Sequence, residues 1–395
     1  MDLTYSPEDE AFRAEVRAWL NDNLVGEFAE IKGMGGTGRE HEAHEERLAW
    51  NQHMAREGWT CLGWAPEHGG RGLSLFQQVI WYEEYARANA PAGVNHLGET
   101  LLGPTLIALG TQEQKDRFLP GIRNVTELWC QGYSEPGAGS DLAGVRTKAR
   151  LEGDEWVVDG QKVWTSLAQH AQWCFVVART EAGSRRHAGL SYLLVPMDQP
   201  GVEIRPIEQL TATSEFNEVF FDGARTAADL VVGEPGKGWG VAMATLGFER
   251  GTSTVGQQIG YARELDGIIA TAKANGTFDD PVIRDRIATA KVGLEAMRVH
   301  ALRTLSAYDS QAPGQEAAAS ASKLLWANWH RDLGELAMTV QGGASLTVGP
   351  DYGLDEQQTV FLFSRADTLY GGSNEIQRNI IAERVLGLPK EPRPA

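Results

Sequence analysis

Cysteine is scarce in this chain, with three residues, Cys61, Cys130 and Cys174, widely spaced and in neither a CxxC pair nor a Cys/His cluster. That excludes a disulfide scaffold and a zinc framework, and leaves buried reduced thiols as the expectation. Basic residues are also short: 36 Lys and Arg face 53 Asp and Glu, for a net charge of −17. A nucleic-acid groove needs clustered cations and is excluded, whereas one local basic pocket for an anionic ligand is not. No apolar run approaches membrane-spanning length, and the opening MDLTYSPEDEAFRAEVRAWL carries acids instead of an apolar stretch with a cleavage site. The expectation is a cytoplasmic protein with no signal peptide and no membrane partner. No internal repeat occurs. No GxGxxG follows a strand-like run, so a Rossmann dinucleotide site is unsupported.

What is present is enough apolar material, 42% of 395 residues, for two or three packed regions. Ser6 reads as an N-cap, with Pro7, Glu8 and Asp9 in the first turn and Phe12, Val16, Trp19 and Leu20 at helical spacing. Helical periodicity returns over 45–57, 75–88 and 112–118. After about Asn124 the character changes. WVVDGQKVW (156–164) reads as two β arms around an Asp159-Gly160 hairpin turn, and 174–178, 190–196, 201–206 and 218–221 are short strand candidates. From Trp239 on, long Ala- and Leu-rich segments are helical again, broken at 275–281, 311–314 and 342–353. The expected fold is α+β and multidomain: an N-terminal helical domain (1–124), a central β-barrel or sandwich domain (125–235) and a C-terminal four-helix bundle (236–395). Helices at both ends suggest that the terminal regions pack together around one site.

The most informative segment is GYSEPGAGSDLAGVRTKA (132–149), whose small residues let backbone amides and the Ser134 and Ser140 hydroxyls approach a ligand. Together with DGQKVWTS (159–166), GFERG (247–251) and YGGSNEIQRNIIAERVLG (370–387), it resembles the acyl-CoA dehydrogenase family over nearly the whole chain. The resemblance implies FAD as cofactor and, as activity, α,β-dehydrogenation of an acyl-CoA thioester. It places Tyr133, Ser134, Gly139, Trp164, Thr165 and Ser166 at the flavin, with Trp164 over one face and Ser166 near N5. The alternative for Trp164 is a core aromatic. Thr277, Phe278, Gly343, Ser373 and Glu375 are further cofactor positions by the same resemblance, and Ser140, Arg250 and Gly371 are substrate positions.

That chemistry needs a base for the α-proton, stabilisation of the developing carbonyl charge and a hydride acceptor. The family usually keeps its glutamate in a YEG[TS] motif, and here Gly371 occupies that place. A subset resembling the isovaleryl- and long-chain enzymes carries the base in a helical Glu-Arg pair, which makes Glu249, followed by Arg250, the candidate base. The alternative for Glu249 is an ordinary solvated or ion-paired helix residue; Glu375 and Glu135 are the competing carboxylates. Two family features depart. The arginine that reaches a neighbouring subunit's FAD is replaced by Asn275, leaving Arg284 or Arg286 as substitutes, and the usual Gln-x-x-Gly-Gly has become Thr339-Val340-Gln341-Gly342-Gly343. Such departures resemble steroid-type members in which two different subunits build each flavin site. Expected partners are an electron-transferring flavoprotein and either a homodimer or homotetramer, or an α2β2 heterotetramer. The acyl group is expected to be branched, long or bulky. Competing readings are an acyl-CoA oxidase, a flavin monooxygenase, or a catalytically silent partner subunit. The loop at 30–42 reads as flexible and Gly-rich. His170, His187, His300 and His330 lack metal-ligand spacing and read as structural or surface residues.

Overall fold

A computed structural model describes residues 5–248, 253–309 and 315–390. The N-terminal region is helical: α1 (Pro7–Asn23), α2 (Glu27–Glu30), α3 (His44–Arg56), α4 (Leu75–Arg87), α5 (Gly103–Leu109) and α6 (Gln112–Arg123). Ser6 caps α1 by accepting from Asp9 N, and the Asp9 carboxylate accepts from Ser6 N in return, a reciprocal capping box. Phe12, Val16 and Leu20 turn inward onto Trp50, Trp59 and Trp81. A π-helical turn, Leu97–Leu102, leads into α5 without a break.

The middle region is one sheet of β1 (Trp129–Gly132), β2 (Lys148–Glu152), β3 (Glu155–Ser166), β4 (Trp173–Arg179), β5 (Leu190–Pro196), β6 (Val202–Ile207), β7 (Phe216–Ala227) and β8 (Val231–Val232). Its order is β6-β7-β3-β2-β4-β5-β8, with β1 pairing β4 in parallel. That pairing sets Cys130 opposite Cys174, and all three cysteines are free and buried. One face of the sheet packs Phe175, Tyr192 and Leu194 against Leu102, Phe118 and Val241; the other gathers Trp156, Val176, Leu193 and Phe221.

Asp159-Gly160 is not a hairpin turn. β3 runs straight through it against β7, and the reversal from β2 falls at Gly153, φ +67°. Gly160 is needed for close approach instead: a Cβ there would lie 2.5 Å from Thr147 Oγ1. Asp159 Oδ1 accepts from Gly223 N beside a register shift, so the pair marks a β-bulge.

The C-terminal region holds α7 (Gly238–Phe248), α8 (Ser253–Asn275), α9 (Pro281–Asp309), α10 (Gln315–Gln341), α11 (Glu356–Asp367) and α12 (Asn374–Ile380). Leu265, Ile268, Ile287, Leu294, Leu333, Leu336 and Val340 fill the bundle core. The two helical ends meet: α4 lies along α8, where Arg263 Nη1 donates to Asn89 Oδ1 at 2.5 Å, and Val79 packs on Ala301.

Candidate active site

The loop after β1 is pinned from beneath by a buried ion pair. Lys162 of β3 is fully buried, and its Nζ donates to Tyr133 O at 3.0 Å, Val177 O at 2.8 Å and Glu135 Oε1 at 2.8 Å. Glu135 also accepts from Arg146 N at 2.6 Å and Thr147 N at 2.9 Å, so one carboxylate holds both ends of the loop. Burial alone would raise its pKa, but Lys162 and these amides hold it below the usual carboxylate range. Above this anchor Gly139 and Ser140 are exposed, and a Cβ on Gly137 or Gly139 would touch nothing. Tyr133 turns its ring into the core against Phe175 and Tyr192, so only its backbone faces the loop. Val163 N donates to Ser134 O at 2.9 Å and joins the loop to β3.

At the end of β3 the register with β7 shifts between Lys162 and Thr165. The irregularity releases Trp164 from the sheet with φ +60°, leaving its indole 58% exposed and edge-on to Phe216. Thr165 is buried with its Oγ1 unpartnered, and Ser166 follows at half-exposure. A flat uncovered indole, an unmet hydroxyl and an open Gly/Ser loop suit a planar aromatic cofactor with polar edges. FAD is such a group.

A third group gathers where α8, α9 and α10 meet. Asn275 Nδ2 donates to Val340 O at 2.8 Å, and Asn275 Oδ1 accepts from Thr277 N and Oγ1, so this asparagine is spent on a local turn. Phe278 packs on the bundle under Lys273. Arg286 donates to Thr339 Oγ1 at 2.9 Å, Arg284 to Asp279 O at 3.5 Å, and Gln341 Nε2 to Asp355 Oδ2 at 2.8 Å, while Gly343 lies in the turn beyond α10.

The fourth group follows α11. Gly371 and Gly372 have φ of +61° and +86°, conformations that favour glycine. Ser373 caps α12 by accepting from Ile376 N. Glu375 points outward and pairs with Arg378. Glu249 and Arg250 lie outside the described residues. The helix that precedes them, α7, ends its description at Phe248 and is anchored by a buried contact, Thr245 Oγ1 to Thr105 Oγ1 at 2.8 Å.

Two features were not legible beforehand. The 30–42 loop is held, not loose: buried Arg47 donates from Nε to Glu42 O at 2.8 Å, from Nη1 to Ala92 O at 3.1 Å and from Nη2 to Glu40 O. Gly33, Gly35, Gly36 and Gly38 all take positive φ, so the glycines serve a fixed path. His41 Nδ1 meets Glu215 Oε1 at 3.0 Å, tying this loop to the β region. Burial, reinforced by Glu215, pushes the Glu40 carboxyl up to about 7, and its Oε2 is buried without a partner. The second feature is the pairing of His330, a structural histidine as expected: it is wedged between Asp367 and Glu264. The clue available was its place on an apolar helix among Trp326, Trp329 and Leu333.

An uncovered aromatic wall and a Gly/Ser loop on a sheet flanked by two helical regions suit an FAD-type flavoprotein. The chain belongs to the acyl-CoA dehydrogenase family: residues 6–125, 130–224 and 236–386 match that family's N-terminal, middle and C-terminal domains. It is 68% identical over 382 residues to the acyl-CoA dehydrogenase IpdE1 of Mycobacterium tuberculosis, covering 97% of this chain and 98% of that one. The acyl-CoA dehydrogenase FadE26 of the same organism is 33% identical over the full length of both chains. Among solved structures, the Tcur3481-Tcur3483 steroid ACAD superposes with a TM-score of 0.85 at 30% identity, covering 99% of this chain and 100% of that one. The ChsE4-ChsE5 complex from Mycobacterium tuberculosis superposes with a TM-score of 0.79 at 30% identity and the same coverage. The protein is thus an acyl-CoA dehydrogenase, an oxidoreductase with FAD as cofactor. Among the described residues no helix is long and apolar enough to cross a membrane.

Proposed function

We propose that this chain dehydrogenates a branched or bulky acyl-CoA between its α and β carbons, with Glu249 as the base. The observation that carries the reading is Gly371: where the family usually keeps its glutamate there is a glycine at φ +61°, which cannot take a proton. The competing carboxylates are otherwise engaged. Glu135 is locked beneath its loop by Lys162 and two amides, and Glu375 faces solvent beside Arg378. Of the carboxylates weighed from the sequence, the Glu249-Arg250 pair, which follows α7 directly in sequence, is favoured. Trp164 offers a flat face for the flavin, Ser134 and Ser166 offer hydroxyls at its edges, and Ser140 lies open for the thioester. FAD, when bound, supplies the hydride acceptor at N5. The electrons then pass to an electron-transferring flavoprotein.

The same reading extends to assembly. Asn275 stands where the family arginine would reach a neighbour's FAD, and it is tied to Val340 and Thr277. Leu346 is 87% exposed and Leu369 67%, apolar surface suited to cover by another chain. The names of the two similar solved structures each pair two proteins. A heteromer with a second, related chain is favoured over a homo-oligomer, and a steroid-derived thioester is a fitting bulky substrate.

Anaerobic titration of the FAD-loaded assembly with linear, branched and steroid-derived acyl-CoAs tests the activity. Bleaching of the flavin by a bulky thioester, with slow reoxidation by oxygen, is expected. Rapid peroxide formation would make the protein an oxidase, and no bleaching by any thioester would make it a silent subunit.

A further inference from the structure

Two histidines from different regions of the chain lie face to face under the turn that follows Ser166. His44 opens α3, and His170 closes the short 3₁₀ turn Ala168–His170. Their ring centroids are 3.7 Å apart and the rings are 13° from parallel. The His44 side chain is only 9% exposed, and both of its ring nitrogens are buried without a hydrogen-bond partner. Glu45 Oε1, 3.6 Å from Nδ1, is beyond hydrogen-bond reach. A neutral imidazole placed there forfeits hydrogen bonds to water that a phenyl ring would never have made. Packing alone therefore does not account for a histidine at this position.

What the stack holds is the segment that carries Trp164, Thr165 and Ser166. From the sheet side, Asn217 Nδ2 donates to Thr165 O at 3.1 Å and to Gln169 Oε1 at 2.6 Å, and Leu167 N donates to Glu215 O at 2.9 Å. Leu167 takes φ +56°, a left-handed conformation that persists only where its surroundings hold it. From the N-terminal region the fastening is the His44–His170 stack, with His41 Nδ1 lying 3.0 Å from Glu215 Oε1 behind it. Charge decides when the stack holds. Arg47 of α3 is the cation facing the pair, its donors spent on the carbonyls of Glu42, Ala92 and Glu40, and Glu45 is the carboxylate facing it. Burial first, and then Arg47 at His44 and His44 at His170, hold both rings below the ordinary histidine value. Both are therefore neutral at pH 7. An imidazolium has two N–H groups to place, and neither nitrogen of His44 faces an acceptor.

We propose that His44 is a positioning residue for the flavin: stacked on His170 it fixes the turn at 164–166, and its protonation releases that turn. This rests on the reading above that Trp164 and Ser166 face FAD. A lowered histidine pKa makes the hold complete above about pH 6.5, and the hold is lost as pH falls through the folded value. The test measures the FAD affinity of the loaded assembly by ultrafiltration at about pH 7.5 and about pH 5. The wild type is expected to bind FAD about tenfold or more weakly at the lower pH. His44→Phe and His44→Leu fill the space without titrating and should narrow that ratio to about threefold or less. His44→Ala, which leaves His170 without a partner, should bind FAD weakly at both pH values. A wild-type affinity indifferent to pH, the same acid loss in the Phe and Leu variants, or wild-type affinity in His44→Ala at the higher pH overturns the positioning role. Ser166→Ala tests the underlying reading separately: it should shift the flavin absorbance band, and an unshifted band overturns that reading and the proposal with it.

Discussion

His330 and Glu40 give the protein an acid-side stability bias that its net charge does not predict. Both have folded pKa values above their ordinary ones, about 9 and about 7. A raised pKa adds stability that is complete below the unfolded value and is lost as pH rises through the folded one. For His330 the loss runs from about 6.5 to about 9, and for Glu40 from about 4.3 to about 7. Above about pH 6.5, where the buried histidines with lowered pKa values are already neutral, urea unfolding is therefore expected to show falling stability with rising pH. Glu40→Gln should flatten the lower part and stabilise the protein at pH 8, because the amide carries no charge to bury. His330→Gln should flatten the upper part and lower stability near neutrality by about 3–5 kcal/mol, since two carboxylates lose their common partner. A stability curve that climbs between pH 7 and 9 would contradict this. The Ser6 cap and the Trp164 indole were legible from neighbours in sequence. The His330 cluster was not, because its partners lie 37 and 66 residues away and meet only when three helices pack.

Elements matter to the site through what they anchor. β3 carries Lys162 beneath the loop and Trp164 above it, with one register shift before the pair, at Val158/Asp159, and a second between Lys162 and Thr165 that frees Trp164. Lys162→Met keeps the apolar stem but leaves Glu135 buried without its charge partner, which should destabilise the protein by about 3–5 kcal/mol. It should also free the loop ends held through Arg146 N and Thr147 N, so FAD affinity falls as well, measured by flavin release on dilution. Retention of wild-type FAD affinity by a folded Lys162→Met protein would separate the ion pair from the site. The α-β-α order of elements was readable from periodicity. The Asp159-Gly160 turn was misread, because Asp-Gly is a turn signal only when the strands on either side pair with each other. Here both arms pair with β7, and Gly160 serves the approach of Thr147.

At the scale of the whole molecule, one buried cluster joins Leu102 and Phe118 of the N-terminal region, Phe175 and Tyr192 of the sheet and Val241 of α7, so helices and sheet form one framework. What that framework leaves uncovered lies mostly toward the C-terminus, at Leu346, Val348, Leu369, Leu386 and Leu388. Light scattering and flavin absorbance should show that the chain produced alone holds FAD weakly, and that co-production with a related chain yields a yellow two-component assembly. A stable, fully flavinated homo-oligomer would refute the heteromer. The family and its cofactor were legible in separated motifs. Assembly was not, because it depends on surfaces that a single chain leaves unmatched. The central claim is that Glu249 supplies the carboxylate missing at Gly371. The most direct measurement is the flavin absorbance of Glu249→Gln on anaerobic mixing with a thioester that bleaches the wild type. The variant should keep its FAD spectrum and show no bleaching, a loss of at least about 10³-fold in reduction rate. Bleaching at the wild-type rate would place the base elsewhere.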